Sequence, residues 1–315
     1  MCEANQTKVL QIYLLGFRGL NKFKPLFFIV FLLSYIVILG GNILIITVVS
    51  VVDHLKIPMF IFLKHLAATD ILMTTTVLPM MLNIILVQEG TLSVFGCITQ
   101  LYCFATFGSV QCLLIAVMSY DRYLAICKPL RYASLMNPHI SFQLVIGSWF
   151  LSILLVSAEL TLMCQLNFCG LNYIDHFLCD LGPLIELSTS NKLTSMILDF
   201  ISSIFMVSLP FAFIVMTYIY IFITILKISS ANGQKKAFST CSSHLAIVCT
   251  SYGTLITVYL MPTDYSEVNI NKYKSLLYIV VAPMMNPIIY SLRNPEIQRA
   301  VHKLLNNVKM SKTSI

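Results

Sequence analysis

The stretch Met118-Ser-Tyr-Asp-Arg-Tyr-Leu-Ala-Ile-Cys127 places an acid and a base side by side at the end of a long apolar segment. Ionised side chains at the edge of a membrane span are costly unless they are paired or functional. Asp121 and Arg122 therefore indicate a membrane-spanning chain, and they are its first candidate for a switch.

Composition supports a membrane location for the rest of the chain. Of its 315 residues, 58% are hydrophobic and 10% are charged, and its mean hydropathy is +0.85. Soluble domains carry about 25% charged residues. Because a helix needs about 20 apolar residues to cross a bilayer, the pattern predicts seven transmembrane helices. Their predicted ranges are residues 26–50, 58–82, 93–127, 140–162, 194–226, 236–260 and 272–292.

The predicted fold is an all-α membrane protein, a seven-transmembrane helix bundle forming a single domain over residues 1–315. Residues 1–25 are an extracellular tail, 26–292 the helix bundle and 293–315 a cytoplasmic tail. No cleavable signal peptide is visible in residues 1–25, so we expect the first span to act as its own insertion signal.

The C-terminal tail is predicted to begin with a short amphipathic helix. Ile297 and Val301 would face lipid, whereas Arg299 and Lys303 would face water. A helix of this kind lies along the membrane surface.

The basic residues predict the orientation of the bundle. The connections on the same side as Arg122, together with the C-terminal tail, hold 13 of the 20 lysines and arginines. Cytoplasmic loops carry such an excess, so we expect the N-terminus outside. Asn5, in the triplet Asn-Gln-Thr, is then a predicted glycosylation site. Basic loops facing anionic lipid account for the net charge of +7, so membrane lipid is an expected partner and nucleic acid is not.

Apart from Cys2 in the N-terminal tail, three cysteines lie on the predicted outer side, where disulfides form: Cys97, Cys169 and Cys179. One pair among three leaves one thiol over. We expect a bond between Cys97 and Cys179, because it would hold the long loop between spans four and five over the bundle. An unstructured loop of about 30 residues is usually functional, so this loop is predicted to form a lid.

Motifs spread along the chain resemble those of rhodopsin-like G-protein-coupled receptors, and more narrowly those of the olfactory receptor family. They are Gly41-Asn42, Pro58–Asp70, Met118–Cys127, Lys236–Leu245, Ser251–Thr254 and Pro283–Asn294. They occur in the family's order over nearly the whole chain. The run Lys236-Ala-Phe-Ser-Thr-Cys-Ser-Ser-His-Leu245 is highly specific, and on these residues the chain is identified as a member of the family.

The resemblance implies a receptor in the plasma membrane of olfactory neuron cilia. It would bind a small odorant in the outer half of the bundle and activate a heterotrimeric G protein of the stimulatory, olfactory type, which raises cyclic AMP. Neither a cofactor nor enzymatic activity is expected, since no nucleophile–base pair or cluster of metal ligands occurs in the sequence.

The resemblance also assigns a switch. Arg122 would be held by Asp121 at rest and released when span six swings outward. Pro287 frees a backbone carbonyl, and Asn286 is able to bind that group or a neighbouring helix. The residues implied in switching and coupling are Asp121, Arg122, Tyr123, Lys236, Ser239, His244, Asn286, Pro287 and Tyr290.

Two helical stripes are implied to line the odorant pocket. They are Phe104, Ala105, Gly108, Ser109 and Cys112 in span three, and Tyr252, Leu255, Ile256 and Tyr259 in span six. Ser202, Ser203 and Met206 of span five and Ile279 of span seven complete the implied lining. Because this lining is apolar with a few hydroxyl groups and no charge, we expect a neutral odorant. Ordinary helix packing is the alternative interpretation for each single residue.

The sequence departs from the family pattern in two places. Asp70 lies in the middle of span two, and related receptors use this acid in a cation site with a partner in span three. Olfactory receptors usually have a glutamate there, whereas this chain has Gln111, so a sodium site at Asp70 and Gln111 is expected to be weak. Thr189 stands where the family commonly has a further cysteine, the usual partner of Cys169. We therefore expect Cys169 to be unpaired and the lid to be looser. A bond from Cys169 to Cys164 is the alternative.

A transporter or channel is the alternative class, and it would show internal repeats and several buried charges. No repeat is evident, and only Asp70 lies deep in a span. A peptide or amine receptor is the nearer alternative. The lack of an acid on the outer face of span three argues against amines.

Overall fold

The structure, a computed structural model, describes residues 9–17, 23–170, 172–189, 193–259, 268–294 and 296–304. Its helices are α1 (Lys24–Val51), α2 (Pro58–Val87), α3 (Val94–Cys127), α4 (Pro129–Leu135), α5 (Pro138–Met163), α6 (Leu181–Leu187), α7 (Leu193–Ser203), α8 (Leu209–Leu226), α9 (Ala231–Tyr259), α10 (Val268–Leu276) and α11 (Ala282–Arg293). Three short strands, β1 (Gln11–Leu14), β2 (Gly90–Ser93) and β3 (Tyr173–Ile174), form one sheet in the order β2-β1-β3.

The predicted bundle of membrane-spanning helices is confirmed. Six described helical segments are long and apolar enough to cross a bilayer: Lys24–Val51, Pro58–Val87, Val94–Cys127, Pro138–Met163, Met196–Leu226 and Cys241–Val258. A seventh segment, Lys272–Ser291, passes the same test together with Glu296–Leu304, from which it is bent by 82°. We number these segments as spans one to seven. Span three lies centrally, because α3 packs against α2, α5, α8 and α9.

Spans five and seven each contain a π-helical turn, at Ile204–Ser208 between α7 and α8 and at Leu277–Val281 between α10 and α11. A proline follows each turn, Pro210 and Pro283, and proline cannot donate to the carbonyl four residues earlier. Those carbonyls belong to residues inside the two π turns. Local π geometry is one way in which a membrane helix accommodates a proline, and the sequence analysis did not predict it.

Asn42 connects span one to span seven. Pro287 leaves the carbonyl of Pro283 without its helical donor, and Nδ2 of Asn42 donates to that oxygen at 3.3 Å and to Ile38 O at 3.0 Å. A β-carbon at Gly41 would lie only 2.9 Å from the Pro287 ring, so glycine allows the two helices to approach closely. Of the two partners that the sequence suggested for Asn286, the neighbouring helix is the one observed, because its side chain donates to Asp70 of α2.

A helix after span seven is confirmed, but Ile297 packs into the hydrophobic core of the bundle and does not face lipid as predicted. Residues 296–304 are helical, with Ile297 and Ala300 buried and Arg299 and Lys303 exposed. The 82° bend turns this segment away from the direction of span seven, as expected of a helix that follows the membrane surface.

Candidate functional site

The Asp121–Arg122 pair is buried at one end of α3, where Asp121 is 0% and Arg122 8% exposed. Nε of Arg122 donates to Oδ2 of Asp121 at 3.0 Å, and a terminal nitrogen of the guanidinium pairs with the same oxygen. The hydroxyl of Tyr132 in α4 donates to Oδ1 of Asp121 at 2.8 Å. Both carboxylate oxygens are therefore bonded, and the guanidinium is held inside the bundle.

Tyr132 lies in the connection between spans three and four, outside the membrane-spanning segments. Burial and the nearby Asp121 carboxylate raise the pKa of its phenol. The phenol therefore stays protonated and acts as a donor at all physiological pH values. Sequence reasoning missed this residue, because a tyrosine in a short connecting helix carries no distinctive pattern.

His244 of α9 links three spans. It is fully buried, its Nδ1 lies 2.7 Å from the hydroxyl of Tyr218 in α8, and its Nε2 lies 3.2 Å from the carbonyl of Ile115 in α3. A neutral ring with its proton on Nε2 satisfies both contacts. Lys236 and Ser239 of the same helix are exposed. His244 thus fixes span six against spans three and five, whereas Lys236 and Ser239 lie on the surface.

Tyr123 and Tyr290 occupy different environments near the switch. The ring of Tyr123 packs edge-on against Tyr220 of α8, with 6.2 Å between the centroids. Tyr290 is completely buried, and its hydroxyl has no hydrogen-bond partner among the described residues. An unsatisfied buried hydroxyl costs free energy, so a rearrangement that supplies a partner would stabilise the rearranged state.

Asp70 is the centre of a buried polar cluster that joins spans two, three and seven. Nε2 of Gln111 donates to one of its carboxylate oxygens at 2.6 Å, and Nδ2 of Asn286 donates to the other at 2.9 Å. A sodium ion needs oxygen ligands, whereas both oxygens of this carboxylate already face amide donors. No group of three or more His, Cys, Asp and Glu side chains able to hold a metal occurs within the described residues. The weak sodium site expected at Asp70 and Gln111 stays a prediction, in which an ion would share the Asp70 oxygens with these two amides.

A cavity of about 610 Å³ lies at the opposite end of the bundle from the Asp121–Arg122 pair. Its walls come from α3, α5 and α7, and residues 180–186 of the loop between spans four and five cover it. Small-molecule sites have volumes of roughly 300–1,000 Å³. The loop thus contributes to the wall of a ligand-sized space, in keeping with the predicted lid.

The loop is fixed over the cavity by a disulfide between Cys97 and Cys179, the pair expected from the sequence. The backbone N–H of Cys179 also donates to Oε1 of Gln100 in α3 at 3.0 Å. The expectation that Cys169 is unpaired is wrong, because Cys169 is disulfide-bonded too, whereas Cys164 is free. A looser lid is therefore not expected.

The structure brings only part of the predicted lining together. Phe104, Ala105 and Ser203 line the 610 Å³ cavity, and Phe104 and Ile279 line a smaller one. The others do not line the large cavity: Ser109 is half-buried, Ile256 is exposed, and the buried ones are Gly108, Cys112, Ser202, Met206, Tyr252 and Leu255.

Tyr252 of span six packs against span five instead. Its ring lies 4.8 Å from that of Phe211 in α8. The side chain of Tyr259 lies outside the described residues, as does the predicted glycosylation site Asn5.

The large cavity is acidic, which the sequence analysis did not foresee. Four carboxyl side chains line it: Glu159, Asp180, Glu186 and Asp199. They come from span four, the loop and the start of span five, whereas the predicted neutral lining was drawn mainly from spans three and six. The premise of a lining without charge is therefore wrong for this cavity.

A separate cluster closes the same end of the bundle. Nζ of Lys272 at the start of span seven is 1% exposed on its side chain and donates to Asp175 Oδ1 and to Gly16 O, both at 2.6 Å. His176 is buried next to Asp175, and Leu178 N donates to its Nδ1 at 3.3 Å. Burial, with a smaller contribution from Lys272, lowers the pKa of His176 to about 4. The N-terminal segment, the loop and span seven are thus joined by one polar cluster.

A bundle with a buried arginine–aspartate pair at one end and a covered, ligand-sized cavity at the other has the architecture of a membrane receptor. Sequence comparisons identify its family. A family model described as "Olfactory receptor" matches residues 31–308. The chain therefore belongs to the olfactory receptor family, whose members are odorant-binding, G-protein-coupled receptors of the plasma membrane and not enzymes.

Individual relatives agree over almost their full lengths. The chain is 42% identical to "Olfactory receptor 11A1" of Homo sapiens over 301 residues, which is 96% of this chain and 95% of that protein. It is 43% identical to "Olfactory receptor 5P3" of Homo sapiens over 305 residues, covering 97% and 98% of the two chains. It is also 41% identical to "Olfactory receptor 5G29" of Mus musculus over 303 residues, covering 96% of each chain.

Proposed function

We propose that this receptor binds a small odorant in the 610 Å³ cavity and activates a stimulatory, olfactory-type G protein, which raises cyclic AMP. The observation that carries the proposal is the closed Asp121–Arg122–Tyr132 arrangement, in which both carboxylate oxygens are bonded. Arg122 keeps its charge at any relevant pH and offers several donors in a rigid fork. Once released from Asp121, it is suited to contact a protein partner.

Signalling requires that an odorant favour the open bundle over the closed one. A ligand shifts such an equilibrium only by its difference in affinity for the two states. The cavity is lined by α3, α5 and α7, and α3 also carries Asp121 and Arg122 at its other end. Span three therefore offers a direct mechanical connection between the ligand and the switch.

Membrane orientation is part of the proposal. The basic residues concentrate on the side of Arg122, where 13 of 20 are found, so we place that end in the cytoplasm and the cavity outside. The proposed location is the ciliary membrane of olfactory neurons, where volatile ligands reach the outer face and anionic lipid meets the basic inner loops.

The test is a cyclic AMP reporter assay across a broad odorant panel, in cells that display the receptor at their surface. Arg122→Ala should abolish the response to any odorant that activates the wild type. Arg131→Ala is the matched control, because Arg131 is an exposed arginine nine residues further along the chain, and it should keep most of the response. Silence of the wild type to every odorant despite proven surface display, or a full response from Arg122→Ala, would overturn the proposal.

A further inference from the structure

The cavity has the size of a small-molecule site, and most of its wall is apolar. Side chains such as Ile98, Leu101 and Leu160 line it, together with the aromatic rings of Tyr102 and Phe104. Apolar walls with a few polar groups are typical of ligand sites. The class of ligand is therefore decided by the polar groups that the wall contains.

Those polar groups are strongly biased in charge. The wall includes four carboxyl side chains, and no Lys, Arg or His is among the described residues that line it. Lys272, on the same end of the bundle, is already bonded to Asp175 and to Gly16 O. Glu159 and Asp199 thus have no lysine, arginine or histidine beside them among the described residues of the wall.

Three of the four carboxyl groups influence one another. Glu159 of α5 interacts electrostatically with Asp199 of α7, and Asp199 interacts with Asp180 at the start of α6. Like charges near each other in a partly desolvated space are costly. A bound cation would relieve that cost, so the wall favours a positively charged ligand over a neutral one.

Local hydrogen bonds hold two of these groups in place. The hydroxyl of Ser202 donates to Glu159, and Oδ1 of Asp180 accepts from the backbone N–H of Leu181 at 2.8 Å. A carboxylate has two oxygens with about four acceptor positions. One such bond therefore leaves acceptor capacity that faces the cavity.

An organic cation fits the wall better than a metal ion. No set of three or more His, Cys, Asp and Glu side chains converges closely enough to hold a metal in the described structure. The carboxyl groups are instead distributed around a space bordered by aromatic rings, which attract ammonium groups through their π faces. This combination suits an ammonium group carried on an apolar skeleton.

We infer that the odorants of this receptor are small organic amines, bound as ammonium ions with Glu159 and Asp199 as their counter-ions. This inference rests on the proposed function, because it names the ligand class of the same cavity. It replaces the neutral odorant expected from the sequence. The sequence has no acid on the outer face of span three, whereas the acids of this cavity come from span four, the loop and the start of span five.

The test measures ligand-induced thermal stabilisation of the purified full-length receptor, which does not depend on signalling. The probes are pairs that differ only in an ammonium or a hydroxyl group: hexylamine with hexanol, and cyclohexylmethylamine with cyclohexylmethanol. At least one amine should raise the unfolding temperature at a concentration at least tenfold lower than its alcohol partner requires.

Variants assign the effect to the two carboxyl groups. Glu159→Gln and Asp199→Asn keep shape and remove charge, and each should weaken amine binding roughly ten- to a hundredfold while leaving weak alcohol binding unchanged. Glu89→Gln is the matched control, because Glu89 is exposed and does not line the cavity, and it should bind amines like the wild type. The two test variants are independent, so the folding failure of one leaves the other to decide.

Four results would overturn the inference: no amine stabilises the receptor, alcohols bind as tightly as amines, both amide variants bind amines normally, or zinc chloride replaces the amines as the Glu159-dependent ligand. The proposed function fails separately. If neutral odorants evoke cyclic AMP through Arg122, that function stands and the amine inference falls. If amines stabilise the receptor through Glu159 but evoke no cyclic AMP, the amine inference stands and the proposed signalling function falls.

Discussion

At the scale of single residues, three buried charged side chains of the bundle each have more than one hydrogen-bond partner. Both carboxylate oxygens of Asp70 and of Asp121 are hydrogen-bonded, and Lys272 has two oxygen partners. Removing one partner from such a group leaves a desolvated charge, which costs more than the bond itself contributes. Single substitutions beside these charges should therefore shift the balance between the closed and open bundles measurably.

Tyr132→Phe tests this idea at the switch. The variant removes the donor to Oδ1 of Asp121 but keeps the ring. Because a hydrogen bond to a charged group contributes about 1.5–3 kcal/mol, the closed state should weaken and basal cyclic AMP should rise several-fold without odorant. The measurement is the reporter signal at equal surface display.

The control is Tyr220→Phe, since Tyr220 is an exposed tyrosine near Tyr123 and its ring contact survives the change. Its basal signal should match that of the wild type. A Tyr132→Phe receptor whose basal signal stays at the wild-type level would show that Tyr132 does not hold the switch closed.

At the scale of secondary-structure elements, the spans follow directly from the sequence and their irregularities do not. Long apolar runs predict α2 from Pro58 and α3 to Cys127 with the observed ends. The π turns depend on how neighbouring helices re-satisfy the carbonyls left by Pro210 and Pro283, which is tertiary information. The strands have two to four residues, too short for an alternating pattern to be recognised.

The same limit applies to the candidate site. The switch role of Arg122 could be predicted from the sequence, because the residues of its motif, Met118–Cys127, are contiguous. The acidic cavity could not, since Glu159, Asp180 and Asp199 lie in three different elements and meet only after the loop folds over the bundle. Cys169 was misassigned for a similar reason: pairing of distant cysteines depends on chain geometry that spacing does not reveal.

The contact between spans one and seven makes a prediction at this scale. Asn42→Ala should destabilise the receptor by about 1–3 kcal/mol, because the Pro283 carbonyl loses its donor. In a Pro287→Ala background the backbone N–H of residue 287 can bond that carbonyl within the helix. In that background, Asn42→Ala should lower the free energy of unfolding by clearly less than it does in the wild type. Thermal unfolding of the wild type, the two single variants and the double variant forms a double-mutant cycle. If the two substitutions have additive effects on the free energy of unfolding, Asn42 does not take the place of the helical donor to the Pro283 carbonyl.

At the scale of the whole molecule, the receptor is closed at both ends by polar contacts that join distant parts of the chain. The end that carries Arg122 depends on Asp121 and Tyr132. The cavity end depends on the sheet, in which β1 pairs with β2 and β3, and on the Lys272 cluster. Because the cavity lies beneath the loop that carries Asp175 and His176, loosening of the cavity end would alter ligand access as well as stability.

Acid should loosen the cavity end through His176. Its pKa is about 4 in the folded receptor against an ordinary value of 6.5, so protonation favours states in which the ring is exposed. The stabilisation is complete above pH 6.5 and is lost progressively as the pH falls from 6.5 towards 4. At pH 5 the loss should be on the order of 1–2 kcal/mol, measured as a lower unfolding temperature than at pH 7.

His176→Asn isolates the contribution of this residue. Its amide oxygen can still accept the N–H of Leu178 that now bonds Nδ1, but the side chain does not titrate. The variant should lose much of the drop in unfolding temperature between pH 7 and pH 5, whereas His54→Asn, at an exposed histidine on the other end of the bundle, should keep it. Equal pH dependence in His176→Asn and the wild type would show that the buried imidazole is not the source of the acid sensitivity.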